Sequence, residues 1–242
     1  MLILFNFYLL SLNILYFRIR NFTIMAKKKE LSKENIISFY MDYVLEHNKQ
    51  PNSVYNFAKT NGFEESIFYN FFGSFETLEK HIFNAFYVNT IKVLEASESY
   101  ETFDARNKLL SFYYTFFENL TANRSYVVYA LNTNKNNLKG LLTLTELKKS
   151  FNKYIANLDI ETLDIKEARI EKIQTKAIQE SAWIQLILTL KFWLDDTSSG
   201  FEKTDIFIEK SVNTSFDIIN IAPIKSVIDF GKFLFKEKMH MN

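Results

Sequence analysis

The chain contains no cysteine among its 242 residues. Disulfides, thiolate metal sites and a cysteine nucleophile are therefore excluded, and a reducing compartment such as the cytoplasm is the expected location. Glycine and proline are scarce as well, with five and two residues respectively. Because the turns of a β-sandwich or barrel need many such residues, their scarcity favours long helices. The net charge is only +1, so any contact with nucleic acid or membrane depends on local patches.

Sequence signals of catalysis are also lacking. The three histidines, His47, His81 and His240, are far apart and do not have the spacing of metal ligands. The chain has neither a glycine-rich phosphate loop nor a nucleophile elbow. The pair Asp195–Asp196 is better explained as a solvated turn between helices than as two catalytic acids. We therefore expect no enzyme activity, no metal and no cofactor.

Apolar and aromatic residues are abundant. Hydrophobic residues make up 48% of the chain and aromatic residues 17%, including 25 phenylalanines. This composition is typical of a folded globular protein and argues against disorder. Phenylalanine in this quantity can fill a large core or line an apolar cavity.

The first 24 residues differ from the rest of the chain. Residues 1–17 are almost all apolar, and Arg18 and Arg20 follow them. A signal peptide carries its positive charge before the apolar run, and a transmembrane helix needs about 20 apolar residues. A start of translation at Met25 is the interpretation that we favour for this segment, with a membrane anchor second.

Helical periodicity runs through most of the remaining chain. Ser32 and Ser74 are expected caps, and Ser199 with Glu202 forms an expected capping box. The polar segment 132–139 predicts a loop. Residues 183–194 are apolar on nearly every face, which predicts a helix buried on all sides. The expected helices span residues 32–47, 51–58, 64–71, 75–86 and beyond, 109–120, 125–131, 141–157, 166–194, 201–219 and 223–235.

Two short helices joined by a glycine-containing turn are typical of a helix-turn-helix. Over about residues 36–83, a longer string of residues resembles the N-terminal domain of TetR-type transcriptional regulators in order and spacing. Its members are Val54, Phe57, Ala58, Gly62, Phe63, Phe68, Tyr69, Phe72, Ser74, Glu76 and Leu78. The resemblance implies an all-α, TetR-like fold. It places a three-helix helix-turn-helix domain at 25–83 and a helical ligand-binding and dimerisation domain at 84–242.

The same resemblance implies a DNA-binding surface. The third helix, residues 64–70, would enter the major groove of double-stranded DNA, and a basic N-terminal arm would contact its backbone. The DNA-binding residues that it implies are Lys27, Lys28, Lys29, Lys33, Ser53, Glu65, Ser66, Tyr69 and Asn70.

The charge of this region opposes DNA binding. Residues 26–83 carry seven lysines and arginines against eight aspartates and glutamates, a net charge of −1. The recognition helix begins with Glu64–Glu65, and Phe75 stands where the family frequently has a lysine. Because domains that bind DNA are usually basic, the alternative is a helix-turn-helix kept as a fold after its DNA contacts were lost.

A second resemblance covers about 25 residues near the C-terminus. The run WLDDTSSGFEKT at 193–204, with Phe207-Ile208-Glu209 and Val212-Asn213, resembles the lipid-binding accessory proteins of coenzyme Q biosynthesis. Those proteins have a TetR-like fold and an apolar pocket for isoprenoid lipids, so the resemblance implies a lipid ligand. A capped turn between two helices explains the same residues.

The larger domain has the aromatic side chains that an apolar ligand needs. The expected ligand-binding residues are Phe112, Tyr113, Phe116, Phe117, Tyr126, Trp183, Ile187 and Leu190. We expect an apolar small molecule or lipid there, and a homodimer formed through residues 177–194 and 201–219. The basic amphipathic helix at 223–235 is expected to pack on its own domain, with peripheral membrane contact as the alternative.

Two functions follow from these observations. The first is a TetR-like transcriptional regulator that responds to an apolar effector. The second is a lipid-binding protein of the same fold that has lost DNA binding and acts at a membrane surface in isoprenoid-lipid or quinone metabolism. A plain structural dimer is a third.

Overall fold

The computed structural model describes residues 31–132, 137–160 and 168–219. Within these ranges the chain forms ten α-helices and two short 3-10 helices, and no strand occurs there. The all-α prediction is therefore confirmed. No helix in the described ranges is both long and apolar enough to cross a membrane. The predicted leader at 1–24, the basic residues at 27–29 and the expected helix at 223–235 lie outside the described residues.

The first three helices form a small unit: α1 (Lys33–His47), α2 (Val54–Thr60) and α3 (Glu65–Phe71). Ser32 begins α1 through a capping box, because its Oγ accepts from the Asn35 amide and the Asn35 side chain accepts from the Ser32 amide. The α2 helix starts at Val54, slightly later than expected. Its cap is Ser53, whose Oγ accepts from the Asn56 amide at 3.1 Å.

A long helix, α4 (Phe75–Glu95), connects this unit to the rest of the chain. Ser74 caps it as predicted, accepting from the Thr77 amide at 3.2 Å. One stripe of α4 is buried along its whole length. Because the helix is continuous for 21 residues, the predicted domain boundary at 83/84 lies within it.

The larger unit packs around α4. Its helices are α5 (Ala105–Ala122), α6 (Arg124–Asn132), α7 (Asn137–Thr143), α8 (Thr145–Ala156), α9 (Ala168–Asp195) and α10 (Glu202–Ile219). The 3-10 helices lie at Tyr100–Thr102 and Ser199–Phe201. The α4 helix packs against α5 and α8, α9 packs against α8 and α10, and α10 packs against α5. The larger core therefore lies between α4, α5, α8 and α9.

Other boundaries also differ from the sequence-based expectation. The predicted loop at 132–139 is wrong in part, because α7 begins at Asn137. The helix expected at 141–157 is divided, because a break at Leu144 separates α7 from α8. Polar residues adopt this helix because α7 packs against α4 and α6, and tertiary packing supplies most helical stability. The start of α5 at Ala105 is earlier than expected, since Asp104 accepts from the Asn107 amide at 2.8 Å.

The prediction that residues 183–194 are buried on all sides is wrong. Ile184 is 57% exposed, Leu188 53% and Phe192 36%. The α9 helix contacts α8 and α10. Among the described residues, the face that carries Ile184 and Leu188 is left largely exposed, and Phe192 stacks on Phe207 of α10 at 4.6 Å.

The predicted capping box of Ser199 and Glu202 is also wrong. Ser198 Oγ accepts from the Lys203 amide in the first turn of α10 at 3.2 Å. The other side chain that caps α10 is Asp196, which accepts from the amide and the hydroxyl of Thr204 at 2.9 and 2.7 Å. It accepts from the amide and hydroxyl of Ser198 as well. Burial alone raises the pKa of the Asp196 carboxyl, but these four hydrogen bonds together hold it well below its usual value.

Candidate functional site

The α2 and α3 helices form the helix-turn-helix that the sequence predicts. The turn between them passes through Gly62, whose φ of +72° is a conformation that only glycine adopts without strain. The ring of Phe57 on α2 makes edge-on contacts with Phe63 and Phe68, at centroid distances of 5.7 and 6.2 Å. These contacts set the angle between α2 and α3.

One side of this unit is exposed and carries most of the predicted DNA-binding residues. Ser53, Ser66, Tyr69 and Asn70 are exposed, and Glu65 is half-buried. The Tyr69 hydroxyl donates to Glu65 Oε1 at 3.2 Å. Three residues of α3 and Ser53, at the cap of α2, are therefore accessible to solvent.

The predicted lysines are placed differently. Lys33 lies on α1 and is half-buried, with its Nζ 5.4 Å from the centroid of the Phe72 ring. This cation–π contact ties Lys33 to its own domain. Lys27, Lys28 and Lys29 lie outside the described residues. On α2 and α3 themselves, Lys59 is the only basic residue, so the exposed surface has little positive charge.

The predicted ligand-binding residues lie mainly in the larger core. Phe112, Tyr113, Phe116 and Phe117 are all buried on α5. On α9, Trp183 and Leu190 are buried and Ile187 is half-buried. The two helices are joined through shared aromatic contacts, such as the one between Phe117 and Trp193 at 6.1 Å. This core holds seven of the eight predicted residues.

Sequence reasoning missed the contribution of α8 to this core. The Phe151 ring contacts Phe112 at 5.3 Å and Trp183 at 6.4 Å, so it lies between α5 and α9. The signal was present in the sequence, because Leu147, Phe151 and Ile155 recur every four residues and are all buried.

Tyr113 has an uncommon environment within this core. It is fully buried, and its hydroxyl has no hydrogen-bond partner among the residues that the structure describes. Its ring stacks on Phe117 and contacts Phe112 and Phe151. Burial raises the pKa of the Tyr113 hydroxyl well above its ordinary value, which keeps it protonated and able to donate. A buried, unpaired hydroxyl costs free energy unless a ligand or water pairs with it.

Tyr126 lies away from this group, at the junction of the two units. Within the described ranges its buried hydroxyl has no partner either, and its ring contacts Phe83 on α4. Nearby, the Tyr40 hydroxyl of α1 donates to Glu79 Oε1 of α4 at 2.5 Å. Burial raises the pKa of the Glu79 carboxyl, although the hydrogen bond from Tyr40 acts in the opposite direction.

A second link joins the units through His81 on α4. Its Nδ1 lies 3.2 Å from Glu146 Oε2 on α8, and its ring contacts Phe72 at 5.8 Å. The end of α3 is thereby connected to the larger core through a few side chains of α4.

A groove between α9 and α10 is a surface feature that the sequence did not predict. Its volume is about 690 Å³. The apolar residues that line it are Ile184, Leu188, Phe192, Ile206 and Phe207. Lys203 and Lys210 also line it. The Gln185 side chain is hydrogen-bonded to the hydroxyls of Ser211 and Ser215. Because the polar groups of Gln185 are satisfied within the chain, the groove presents a mainly apolar surface.

The run at 193–204 forms the turn between α9 and α10. The Arg124 guanidinium lies 4.4 Å from the Trp193 ring centroid and 4.7 Å from that of Phe201. It also donates to the carbonyls of Trp193 and Leu194 at the end of α9. Together with the cap from Asp196, these contacts give Trp193, Asp196 and Phe201 structural roles in the turn.

Residues 108–234, just over half of the chain, match the family model described as the tetracyclin repressor-like C-terminal domain. No curated protein matches the chain. Among the described residues, no three side chains of His, Asp or Glu are grouped closely enough to bind a metal ion.

Proposed function

The chain belongs to the tetracyclin repressor-like family, and from this premise we propose that it is a DNA-binding transcriptional regulator that responds to an apolar effector. The observation that carries the proposal is the continuous α4 helix, which joins a helix-turn-helix to the core of the family's C-terminal domain. A regulator needs such a connection between the element that contacts DNA and the site that senses a ligand.

The effector site that we propose is the aromatic core around Tyr113. An apolar molecule that carries one hydrogen-bond acceptor fits the chemistry of this core, because Tyr113 offers a buried donor among aromatic rings. We include Phe112, Phe116, Phe117, Trp183, Ile187 and Leu190 in the same site. Tyr126 belongs to the junction beside Glu79 and would respond to the effector through α4.

The regulator that we propose acts as a homodimer. The exposed apolar face of α9 and the groove beside α10 support this assembly, because a second copy would bury Ile184, Leu188 and Phe192. Two copies would pack these helices as a four-helix interface. The two α3 helices would then need a separation of about 34–36 Å to enter successive major grooves.

Regulation follows from the link between the core and the helix-turn-helix. The first turn of α4 is packed into the small unit, where Phe75 contacts Phe57 and Phe68 at 5.5 and 5.3 Å. Its second half packs against α5, where Asn119 of α5 donates to Thr90 at 3.1 Å. An effector that prefers one arrangement of α4 would shift the population of DNA-binding dimers.

One observation favours a second function. The surface of α2 and α3 has a single lysine, and DNA affinity comes mainly from lysines and arginines that neutralise phosphates. A lipid-binding protein of this fold that no longer binds DNA is therefore the alternative proposal. Membrane contact through the helix expected at 223–235 belongs to that proposal.

A mobility-shift assay titrated with salt separates the two functions. If Lys59 alone contacts phosphate in each subunit, log K should fall against log salt with a slope of about −1.8. If the lysines at 27–29 of both subunits also contact phosphate, the slope should be on the order of −7. Replacing these three lysines by alanine should remove the difference, and the exposed Lys172→Ala variant on α9 should not.

The outcomes are distinct. A preferred sequence with a measurable salt slope supports the regulator. Weak binding without a preferred sequence contradicts it and leaves the lipid-binding protein. Replacing Glu64 and Glu65 by lysine should raise DNA affinity if α3 faces the duplex, because both substitutions remove a negative charge near phosphate.

A further inference from the structure

The outward side of α3 has an uncommon chemistry for a recognition helix. Ser66 and Asn70 are four residues apart and both exposed, so they share one face of the helix. Tyr69, which is 51% exposed, lies beside them, while Phe68 points into the core. The face therefore presents a hydroxyl, a carboxamide and an aromatic ring, and it carries no charge of its own.

The two acidic residues are positioned beside this face. Glu64 is the residue that precedes the first turn of α3, and its side chain makes no capping hydrogen bond. Glu65 is half-buried, and its Oε1 accepts the hydrogen bond from Tyr69. A glutamate could accept from the N4 amino group of cytosine, but the Tyr69 hydroxyl already engages one of the two oxygens of this carboxylate.

The side chains of this face favour particular bases. The commonest specific contact to guanine is an arginine or lysine on its O6 and N7 atoms, and α3 has neither residue. Asparagine forms a bidentate pair with N6 and N7 of adenine, and apolar surfaces contact the thymine methyl group. A serine hydroxyl can hydrogen-bond to either kind of base pair, so Ser66 adds no base preference.

We infer that α3 selects A·T base pairs, with the Asn70 carboxamide on adenine and the Tyr69 ring against a thymine methyl group. This inference rests on the proposed DNA binding. It goes beyond that function by assigning the base preference to two exposed side chains. Because both side chains are exposed, their role can be tested without unfolding the domain.

The experiment is a selection of binding sites from random duplexes by the full chain, at low salt. We expect the enriched half-site to carry A·T pairs at the positions that α3 contacts. In Asn70→Ala, the preference for adenine at one position should fall about 5- to 150-fold, which corresponds to the loss of one bidentate pair. In Asn70→Arg, the preference at the same position should change to guanine.

A matched control is available on the neighbouring helix. Asn56 is exposed on α2, the helix that crosses the backbone in a helix-turn-helix. We expect Asn56→Ala to weaken binding to all sequences alike, without changing the selected base. Replacing thymine by uracil in the duplex removes the methyl group and should weaken binding of the unsubstituted protein. The Tyr69→Ser variant should bind both duplexes equally, because its contact with the methyl group is already lost.

The results separate the inference from the function on which it rests. An enriched site with G·C pairs under α3, or an adenine preference that survives Asn70→Ala, overturns the inference and leaves DNA binding in place. A selection that enriches no sequence overturns both. An A·T preference that Asn70→Ala removes and Asn56→Ala retains supports the inference.

Discussion

The unpaired hydroxyl of Tyr113 leads to the sharpest prediction about this protein. The Tyr113→Phe variant removes one oxygen atom from a site that is fully buried and lined by Phe112, Phe117 and Phe151. Among the described residues, nothing pairs with this buried hydroxyl. Its removal should therefore raise the stability of the free protein.

The magnitude follows from the cost of burying an unpaired polar group. That cost is about 1–3 kcal/mol, so the free energy of unfolding should rise by a similar amount. For a chain of this length, each kcal/mol raises Tm by about 2–4 °C. The measurement is urea unfolding followed by circular dichroism, with thermal unfolding as a second readout.

Tyr154 provides the matched control. It lies on α8 in the same core, and its hydroxyl donates to the Lys108 carbonyl at 3.0 Å and pairs with the Tyr100 hydroxyl at 2.9 Å. Tyr154→Phe removes the same atom from a paired site and should destabilise the protein by about 1–3 kcal/mol, because it leaves buried groups without a partner. Opposite signs for the two variants are the expected result.

The same pair of variants tests the effector site. With palmitate as a probe of apolar binding, Tyr113→Phe should lower affinity about 2- to 13-fold, the value of one hydrogen bond. A loss of stability in Tyr113→Phe would refute the reasoning, since it would mean that the hydroxyl is paired in the free protein. Unchanged palmitate affinity would remove Tyr113 from the site.

Three further predictions concern other parts of the fold. Leu188→Glu should convert the proposed dimer to a folded monomer in analytical ultracentrifugation, because it places a charge on the exposed apolar face of α9, whereas Lys172→Glu on the same helix should not. Glu79→Gln should stabilise the protein at pH 7. Because burial raises the folded pKa of Glu79 above 4.5, the native state binds more protons, and the gain should shrink as pH falls below that pKa. Asp196→Ala should lower Tm at neutral pH by removing four hydrogen bonds; since the folded pKa is lowered, this difference should diminish as pH falls below 3.8. A Tm difference that persists at low pH would contradict the role assigned to Asp196.

Much of the small unit could be predicted from local signals. Ser32 and Ser74 cap helices as expected, and Asn61–Gly62 forms the expected turn. Such signals are reliable because caps and turns depend on neighbouring residues. The position of Lys33 could not be predicted, because its contact with Phe72 joins residues that are far apart in the chain.

The larger unit was less predictable where long-range contacts determine the positions of helices and side chains. The candidate core residues on α5 and α9 are buried together. Tyr126 lies apart from Tyr113 because α6, which carries Tyr126, packs on α1. The helix at Asn137 depends likewise on its packing against α4 and α6. Periodicity along one segment contains no information about the partner of each face.

The order of side chains along the chain alone determined that this protein is helical, that its helices begin at particular caps, and that a helix-turn-helix precedes a larger aromatic-rich region. These features follow from interactions between residues within a few positions of each other. Tertiary structure alone decided which apolar residues are covered. It buried Tyr113 without a partner and left Ile184, Leu188 and Phe192 exposed on one face. The physical reason is that burial depends on the mutual placement of whole helices, which distant contacts fix only when the chain has folded.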